Sequence, residues 1–532
     1  MREGKRKHGT VAGPHPKTAQ AGMTMLKNGG NAIDAAIAAA LTEGVVEPLH
    51  NGIAGYGGSM VIYNAKRSKV VAIDCNSTAP IEASEKMFTI EQGSHPSVYR
   101  IPKRANVLGP LAVGVPGVFA GLCLALQRFG TMPLKEVIRP AITAARYGYV
   151  PGLKNRQGLL DNAHFWQQNY PETARVFLKE GRPPRKGQRV TNPDLARTLE
   201  ILSEGGLTSF YNGPIGKKIA TYIQELGGCL TTEDFRRYRA RLVEPYQSTY
   251  RDCQLFTPPL AAGGLTTLQI LRLLEPYDLG EKNQIDRLHH LAEAMKICWP
   301  ERLKRYGDPS FVDIDVETEL SKEFMARLGR RFRDHLKRPR PGRLVAPEPI
   351  NCTSHISTAD TSGNMVSLTQ THGGWYGSMI TVPGTGLLLG HGISRFDPRP
   401  GLANSIAPGK QPLHNMAPFI ALRNGRPFAT YGLPGGRTIP NNQVTLTVGL
   451  IDRNLDPQKA LNATRLHTEG TEPIQIERRA GKAVMQGLCK LGHRVDFADG
   501  IGGPGHIVTV TDAPDIQVGA TDSRFDGLAL SS

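Results

Sequence analysis

The sequence has no long apolar run and no cysteine framework, and these absences exclude several classes of protein. No stretch approaches the roughly 18 apolar residues of a membrane span, and no apolar run follows the basic start. We therefore expect neither a transmembrane helix nor a signal peptide. We also expect the protein to be cytoplasmic. The seven cysteines are scattered and show no C-x-x-C spacing. A disulfide framework and a zinc site are not predicted.

The common nucleotide-binding and hydrolase motifs are absent as well. The glycine-rich segment GYGGS lacks the G-x-G-x-x-G spacing and leads into a strand, and no GxxxxGK[ST], HExxH or GxSxG occurs. The histidine pair His289–His290 has no partner ligands at a useful spacing in the sequence. We therefore predict no cofactor and no metal.

The chain is basic, with 64 Lys+Arg against 47 Asp+Glu and a formal charge of +17. Such a charge favours contact with nucleic acid or another polyanion. The excess is concentrated, because residues 322–343 hold nine Lys and Arg against two acidic residues. Aromatic residues there are limited to Phe324 and Phe332. We interpret this segment as a solvated basic linker and predict no nucleic-acid and no membrane partner.

Local patterns divide the chain into helical and strand-rich parts. Length alone suggests three or four domains. The segment 51–74 reads as a run of glycines followed by two strands around a polar turn at 65–68, and NAIDAAIAAALTEGVVEP reads as a helix. The proline-rich stretch 334–350 favours extended backbone and is the best boundary. After it, CTSHISTADTSGNMVSLTQT alternates like two strands around a turn.

The junction after the proline-rich stretch is suited to chain cleavage. If the bond before Thr353 breaks, Thr353 gains a hydroxyl nucleophile and a free α-amine that can act as general base. An ordinary threonine at a strand start explains the same residues, and from the residues alone it is the favoured interpretation. Cys352 is a second candidate nucleophile.

A series of ordered segments resembles one known family. These segments include LKNGGNAIDAAIAAAL, GYGGSMVIY, PPLAAGGLTTLQIL, TSHISTAD with GNMVSLTQT, and PLHNMAP followed by GLPGGRTI. From about residue 9 to about residue 477 the chain resembles the gamma-glutamyltransferase family of N-terminal-nucleophile hydrolases. The resemblance implies an α+β fold, a four-layer αββα sandwich. It also implies self-cleavage after Cys352 into a large subunit, 1–352, and a small subunit, 353–532. The two fragments would stay together as a heterodimer forming one composite unit.

The resemblance also assigns the catalytic residues by position. The family's nucleophilic threonine matches Thr353, and the threonine that hydrogen-bonds its hydroxyl matches Thr371. The glycine pair whose N–H groups help to form the oxyanion hole matches Gly435 and Gly436. Backbone amides aimed at a tetrahedral oxyanion stabilise it by several kcal/mol.

The substrate-binding positions depart from the family pattern. His414 and Asn415 stand where the family has paired serines, and Asn76 stands where it has the arginine that binds the α-carboxylate. Arg395 replaces the aspartate that holds the α-ammonium, which reverses the charge, and Gly373 replaces an asparagine. The segment between Arg395 and His414 is short for the family's lid, which suggests a more open cleft.

These matches and departures predict an amide hydrolase or acyltransferase acting through a threonine acyl-enzyme. Its small-molecule amide substrate would carry a carboxylate on the acyl group, with Arg395 as the anchor, as in relatives that deacylate glutaryl amides. Arg437 and His372 are further candidates for substrate contact or for a purely structural role. One alternative is a genuine gamma-glutamyl hydrolase or transpeptidase, a glutathione hydrolase. Another is an uncleaved, inactive homologue that binds acidic partners through the basic stretch.

Overall fold

Two antiparallel seven-stranded sheets form the centre of the protein. The computed structural model describes residues 4–5, 7–93, 99–339, 352–511 and 513–532. The first sheet runs, in spatial order, through Gly4–Lys5, Ile516–Thr521, His506–Val510, Arg426–Gly432, Phe419–Arg423, Cys253–Thr257 and Tyr246–Tyr250. The second runs through Leu528–Ser531, Gly9–Gly13, Ser354–Asp360, Met365–Thr371, Gly57–Asn64, Lys69–Asp74 and Arg241–Val243.

The two sheets face each other across an apolar layer. One buried cluster joins side chains of both sheets, among them Val61 and Ala359 of the second sheet and Ile420 and Val508 of the first. Side chains on the opposite faces, such as Ile356, pack among helices instead. This alternation follows from the strand geometry, in which neighbouring residues point to opposite faces.

Helices pack against the sheets and against one another. In the described residues they are Pro16–Lys27, Ala32–Val46, Val118–Phe129, Leu134–Val137, Arg139–Tyr147, Leu153–Asn169, Pro171–Phe177, Pro193–Leu207, Pro214–Glu225, Thr232–Arg237, Gly264–Leu274, Gln284–Arg305, Val316–Glu319, Lys322–Lys337, Thr438–Ile451, Pro457–Leu461 and Lys482–Lys490. Short strands form three further small sheets: Glu91–Gln92 with Tyr99–Arg100, Thr381–Val382 with Leu387–Leu388, and Leu466–His467 with Ile474–Glu477 and Val495–Ala498. None of the helices in the described ranges is long and apolar enough to cross a bilayer.

The predicted alanine-rich helix is Ala32–Val46, and it is buried on almost every side. A capping box starts it: the Asn31 side chain accepts from the backbone N–H of Asp34, and the Asp34 carboxylate accepts from the backbone N–H of Asn31. Small alanine side chains allow the close packing that this central position requires. The predicted hairpin is also confirmed, as Gly57–Asn64 and Lys69–Asp74 joined by a turn at Ala65–Arg67.

The interpretation of the basic segment as a linker is wrong for residues 322–337, which form a helix. Ser321 caps its start by accepting from the backbone N–H of Phe324 at 3.2 Å. The helix buries Phe324, Leu328 and Phe332, one side chain per turn, against neighbouring helices. Apolar residues at this spacing define one face, so the basic residues occupy the exposed remainder. Residues 340–351 of the predicted proline-rich boundary lie outside the described residues.

The fold gives His289 two partners, one from its own helix and one from a remote part of the chain. Ligand-type atoms of His289, Glu293 and His493 lie within 4.8 Å of one another in a buried cluster. Lys296 donates to Glu293 Oε1 at 2.8 Å and also bonds Glu472. The prediction that no partner ligands lie at a useful spacing is wrong for His289, because Glu293 follows it by four residues and His493 comes from a remote part of the chain. The Lys296 ammonium already supplies a positive charge to this cluster.

Both sheets contain strands from before and from after Thr353. In the second sheet, Ser354–Asp360 and Met365–Thr371 lie between Gly9–Gly13 and Gly57–Asn64. In the first sheet, Phe419–Arg423 pairs with Cys253–Thr257. The parts of the chain before and after Thr353 therefore share one pair of sheets.

Candidate active site

Thr353 lies immediately before a central strand of the second sheet and is largely buried. Its hydroxyl forms a hydrogen bond with the carbonyl oxygen of Cys352, the residue on the other side of the candidate scissile bond. The same hydroxyl lies 3.4 Å from Thr371 Oγ1. The hydroxyl is therefore held against the bond that self-cleavage would break.

Thr371 is placed by the strand register. Ser354 pairs with Gln370 across the two strands, so Thr353 and Thr371 meet at the end of the ladder. Thr371 Oγ1 donates to the Cys352 carbonyl oxygen at 2.7 Å and accepts from the backbone N–H of Gly373 at 2.8 Å. A donor on the carbonyl oxygen polarises it and stabilises negative charge that develops there during attack.

The thiol of Cys352 is buried and contacts backbone carbonyl oxygens. Its Sγ donates weakly to the carbonyl oxygens of Leu49 and His50 at 3.4 and 3.5 Å. Complete burial raises the pKa of the Cys352 thiol well above its usual range. A buried neutral thiol is a poor nucleophile, so the geometry favours the Thr353 hydroxyl over the sulfur.

Gly435 and Gly436 form the turn that leads into the helix Thr438–Ile451. Both have positive φ, +137° and +58°, which glycine adopts without steric cost. A Cβ on Gly435 would clash with Thr438 Oγ1 and with the backbone of Gly502. Only glycine therefore fits at Gly435, and N–H groups before a helix start are suited to binding negative charge.

Thr353 and Gly435 line one cavity of about 320 Å³, which we name the threonine cavity. Its other walls include Glu47, Leu153, Lys154, Trp375, Pro434, Pro504, Arg524, Phe525 and Asp526. Burial, with Asp526 nearby, raises the pKa of Glu47 to about 8, so that its carboxyl is mostly neutral at pH 7. The nucleophile and one candidate oxyanion-hole glycine thus face the same space.

Arg395 lies at the end of a short 3₁₀ turn, Gly392–Arg395, and is largely buried. Its guanidinium donates to the carbonyl oxygen of Gly373, and the N–H of Gly373 donates to Thr371. The backbone of Gly373 therefore connects Arg395 to Thr371, because it accepts from the first and donates to the second. The position of Gly373 explains one departure from the family pattern: φ is +100°, and a Cβ would overlap the His391 ring.

Arg395 also lines a second cavity of about 360 Å³, which we name the arginine cavity. Four further arginines line it: Arg100, Arg104, Arg302 and Arg437. Asp397 is the one acidic side chain among its described lining residues. Arg437 forms an ion pair with Glu469 at 2.9 Å while it faces the cavity. The cavity has a strong positive character that suits an anion.

His414, Asn415 and Asn76 have different surroundings. Arg302 donates to the His414 carbonyl at 2.6 Å and to Asn415 Oδ1 at 2.9 Å, and Asn415 lines the arginine cavity. His414 is buried, and desolvation lowers the pKa of its imidazole to about 3. Asn76 is fully buried and donates to the carbonyl of Pro412 at 2.9 Å, so it fixes the loop before His414. Their predicted contacts with substrate stay predictions.

Hydrogen bonds hold the segment between Arg395 and His414 against the rest of the protein. Lys410 O accepts from the backbone N–H of Ala79 at 2.8 Å, and the backbone N–H of Gln411 donates to Asp308 at 2.8 Å. The segment thus forms part of the arginine cavity wall through Phe396, Asp397 and Leu402. The more open cleft stays a prediction.

His372 points away from both cavities. Its ring packs against Gly52 and lines a separate, small apolar space, and burial lowers its pKa to about 3. Sequence reasoning missed Arg302, Glu47 and Trp375. Arg302 lies in a segment that matches the family, which was the available signal, whereas nothing local marks Glu47 or Trp375.

Comparisons with known proteins agree over nearly the whole chain. The family model described as gamma-glutamyltranspeptidase matches residues 18–532. The Acylase ACY 1 proenzyme of Pseudomonas sp. (strain SE83) is 35% identical, covering 98% of this chain and 93% of the relative. The Glutathione hydrolase proenzyme of Escherichia coli (strain K12) is 32% identical, and the match covers 97% of this chain and 90% of the relative. The crystal structure of cephalosporin acylase from Bacillus halodurans superposes with a TM-score of 0.90 at 28% identity, covering 100% of this chain and 97% of that one. The chain belongs to the gamma-glutamyltranspeptidase family of amide hydrolases and acyltransferases.

Proposed function

We propose that this protein cleaves itself between Cys352 and Thr353 and then hydrolyses or transfers an acyl group that carries a carboxylate. The observation that carries the proposal is the path from the arginine cavity to the nucleophile, through Arg395, Gly373 and Thr371. The matched relatives include proteins named as acylase and cephalosporin acylase, which supports an acyl group other than gamma-glutamyl.

Self-cleavage begins with attack by Thr353 Oγ1 on the carbonyl carbon of Cys352. The C–N bond before Thr353 breaks and its nitrogen takes a proton, so that Cys352 is held as an ester on the Thr353 hydroxyl. The α-amine of Thr353 is free from this point, and water then hydrolyses the ester, which releases the Cys352 carboxylate and restores the Thr353 hydroxyl. The Thr371 hydroxyl, 2.7 Å from the Cys352 oxygen, stabilises the charge on that oxygen during attack.

Turnover repeats this chemistry on the substrate. The α-amine of Thr353 accepts the proton of its own hydroxyl while Oγ1 attacks the amide carbonyl. The N–H groups of Gly435 and Gly436 stabilise the tetrahedral oxyanion. The C–N bond then breaks, the amine leaves with the proton, and an acyl ester stays on Thr353. Water or a second amine takes the acyl group.

The charge of the arginine cavity selects the acyl group. A carboxylate at the far end of the acyl chain pairs with Arg395, whose planar guanidinium suits a two-point contact. An α-ammonium at the same place is repelled by Arg395, with Arg302 and Arg437 nearby. A glutaryl group therefore fits better than a gamma-glutamyl group, which differs from it by that ammonium.

The mixed origin of the strands in each sheet supports one composite unit after cleavage. Fragments 1–352 and 353–532 would remain associated as a heterodimer, because each sheet contains strands from both. We propose that the helices and the two facing sheets form the four-layer αββα sandwich of N-terminal-nucleophile hydrolases. The likeness to the cephalosporin acylase structure supports this arrangement.

A denaturing gel tests the cleavage. Purified protein should convert from one full-length band to two fragments, and mass spectrometry should place Thr353 at the new N-terminus. The Thr353→Ala variant should stay intact because it lacks the attacking hydroxyl. A wild-type chain that stays intact after long incubation would favour the inactive homologue and overturn the proposal.

A matched pair of substrates tests the acyl preference. Glutaryl and gamma-glutamyl 4-nitroanilides differ only by the α-amino group, and we expect the glutaryl compound to have the higher kcat/KM. Arg395→Met should lower kcat/KM for the glutaryl compound by about 10- to 100-fold, the range for loss of a charged hydrogen bond. Arg237→Met is the control, since Arg237 pairs with Glu233 on the exposed surface and neither residue lines the cavity. A wild-type preference for the gamma-glutamyl compound would establish the transpeptidase alternative.

A further inference from the structure

A third cavity, of about 310 Å³, shares no lining residue with the candidate active site, and we name it the basic cavity. It is lined by the start of the helix Gln284–Arg305, the second half of the helix Thr438–Ile451 and residues of the segment 453–464. Its volume lies within the range of small-molecule sites. The basic cavity therefore has room for a ligand that the proposed reaction does not use.

Three cationic side chains, Arg287, Arg453 and Lys459, line the basic cavity, and none of its described lining residues is acidic. Lys459 pairs with Asp456 at 3.2 Å, an exposed contact of modest strength. Arg287 donates to the carbonyl oxygen of Lys282 at 2.6 Å and forms no ion pair with a described residue. Two of the three positive charges are thus uncompensated by a carboxylate of the described chain.

Arg453 has the fewest contacts of the three cations. It is half-buried, and its side chain forms no hydrogen bond or ion pair with any residue that the structure describes. Burial, together with the nearby charge of Arg453, lowers the pKa of Arg287 to about 10. The two guanidinium groups therefore repel each other at the wall of one cavity. An anion that contacts both would relieve this repulsion.

The other walls of the basic cavity combine apolar and hydrogen-bonding side chains. Apolar surface comes from Leu288, Leu291, Val448 and Leu455. Thr464 Oγ1 accepts from Gln284 Nε2 at 3.2 Å, so that its own hydroxyl hydrogen can point to a ligand. A molecule with an anionic head and an apolar body suits both kinds of wall. A bare inorganic ion would leave the apolar surface in contact with water.

The two arginines of the basic cavity come from different parts of the chain. Arg287 precedes Thr353, whereas Arg453 follows it. An anion that contacts both therefore links the fragments 1–352 and 353–532 after self-cleavage. Only this link between fragments rests on the proposed function, because the cavity itself is present in the uncleaved chain.

We propose that the basic cavity binds a small organic phosphate, whose phosphate group bridges Arg287 and Arg453 and whose apolar body contacts the apolar walls. A phosphate monoester carries about two negative charges at pH 7 and presents three acceptor oxygens, so it can contact both guanidinium groups at once. A carboxylate offers one charge and two oxygens, which suit a single arginine. The bound molecule stabilises the folded chain and takes no part in acyl transfer.

Calorimetric titration with three probes tests the class of ligand. Phenyl phosphate has the head and the body, inorganic phosphate lacks the body, and benzoate carries a carboxylate in place of the phosphate. Wild-type protein at constant ionic strength should bind phenyl phosphate about 10-fold or more tightly than either other probe. No binding of phenyl phosphate, or equal or tighter binding of benzoate or inorganic phosphate, would overturn the proposal.

Variants assign the binding to the basic cavity. Arg453→Met and Arg287→Met should each weaken phenyl phosphate binding about 10- to 100-fold, since each removes a charged hydrogen bond to the phosphate. Arg478→Met is the matched control, because Arg478 pairs with exposed Asp499 at 2.8 Å and does not line the cavity. Arg395→Met should also keep the affinity, which separates this site from the arginine cavity. Unchanged affinity in Arg453→Met would contradict the assignment.

Thermal unfolding verifies that each variant has folded, and Arg453→Lys, which keeps the charge, should retain part of the affinity. The Thr353→Ala chain, which cannot cleave itself, should bind phenyl phosphate as tightly as wild type. In cleaved wild-type protein, phenyl phosphate should raise the urea concentration at which size-exclusion chromatography separates the two fragments, but not in Arg453→Met. If the wild-type chain stays intact, the proposed function fails while binding is still measured. If it cleaves and phenyl phosphate does not bind, this inference alone is overturned.

Discussion

Replacement of Thr371 by valine tests the role of its hydroxyl in self-cleavage. Valine keeps the size and branching of threonine, so the buried strand keeps its packing, but it removes the donor to Cys352 O. It also removes the acceptor of the Gly373 N–H. It also removes the acceptor of the Thr353 hydroxyl at 3.4 Å. The perturbation thus changes three hydrogen bonds next to the scissile carbonyl and leaves the Thr353 hydroxyl in place.

The expected slowing follows from the 2.7 Å contact between Thr371 Oγ1 and the Cys352 oxygen. Loss of one preorganised donor to an oxyanion costs about 3 to 4 kcal/mol, or roughly 10²- to 10³-fold in rate. A buried donor without a partner costs about 1 to 3 kcal/mol. The unpaired Gly373 N–H should therefore lower the free energy of unfolding by a similar amount. Cleavage should therefore slow far more than the protein destabilises. Thr371→Ser keeps the hydroxyl and should cleave within a few-fold of wild type.

The assay is a time course of precursor and fragments on denaturing gels, with thermal unfolding of each variant alongside. Thr369→Val is a matched control: Thr369 lies two residues earlier on the same strand, is equally buried, and bonds His355 at 2.9 Å. A Thr371→Val precursor that cleaves as fast as wild type would refute the reasoning. Equal slowing in both valine variants would show that general loosening of the strand is responsible.

Three further predictions concern the turn, a buried acid and a buried ion cluster. Gly435→Ala should abolish turnover of the anilide, because its Cβ would clash with the helix start. Gly409→Ala, also at positive φ (+71°) but with open space around its Cβ, should cost only the backbone strain of about 1 to 2 kcal/mol, read from thermal unfolding. For Glu47, the raised pKa of about 8 means that the native state holds a proton that the unfolded state loses above about pH 4.5. Stability should therefore fall as pH rises from about 4.5 to 8, and Glu47→Gln should flatten that slope in denaturant titrations of the precursor at pH 5 and 8; an unchanged slope would contradict this. Lys296→Met leaves buried carboxylates uncompensated and should destabilise by about 3 to 5 kcal/mol, whereas Lys459→Met at an exposed pair should cost less than about 1 kcal/mol in the same titrations.

The sequence predicts those parts of the fold that local patterns determine. Alternation and turn residues are sufficient for the hairpin at 57–74 and for the strands on either side of the turn at 361–364. The helix Lys322–Lys337 was missed because its net charge obscured the spacing of Phe324, Leu328 and Phe332. Charge density describes the exposed face, whereas apolar spacing decides whether a helix forms.

The candidate site depends on contacts between remote residues, which no local pattern contains. The positions of Thr353 and Thr371 came from the family resemblance, and the structure places their hydroxyl oxygens 3.4 Å apart at the end of a strand pair. The hydrogen bond from Arg395 to the Gly373 carbonyl was not predictable, since it depends on a turn that packs beside the nucleophile. The threonine and arginine cavities could not be predicted from the sequence either, because each is lined by residues from segments hundreds of positions apart.

The pairing of the outermost strand of the second sheet brings the two ends of the described chain together. Leu528–Ser531 pairs with Gly9–Gly13, and the backbone N–H of His8 donates to Ser532 O at 2.6 Å. A short peptide could therefore join position 532 to the first strand, and the chain could be opened before Thr353 instead. Such a circular permutant would carry Thr353 at its start once the initiator methionine is removed. Activation would then no longer require self-cleavage, and precursor processing and turnover could be studied as separate events in one fold.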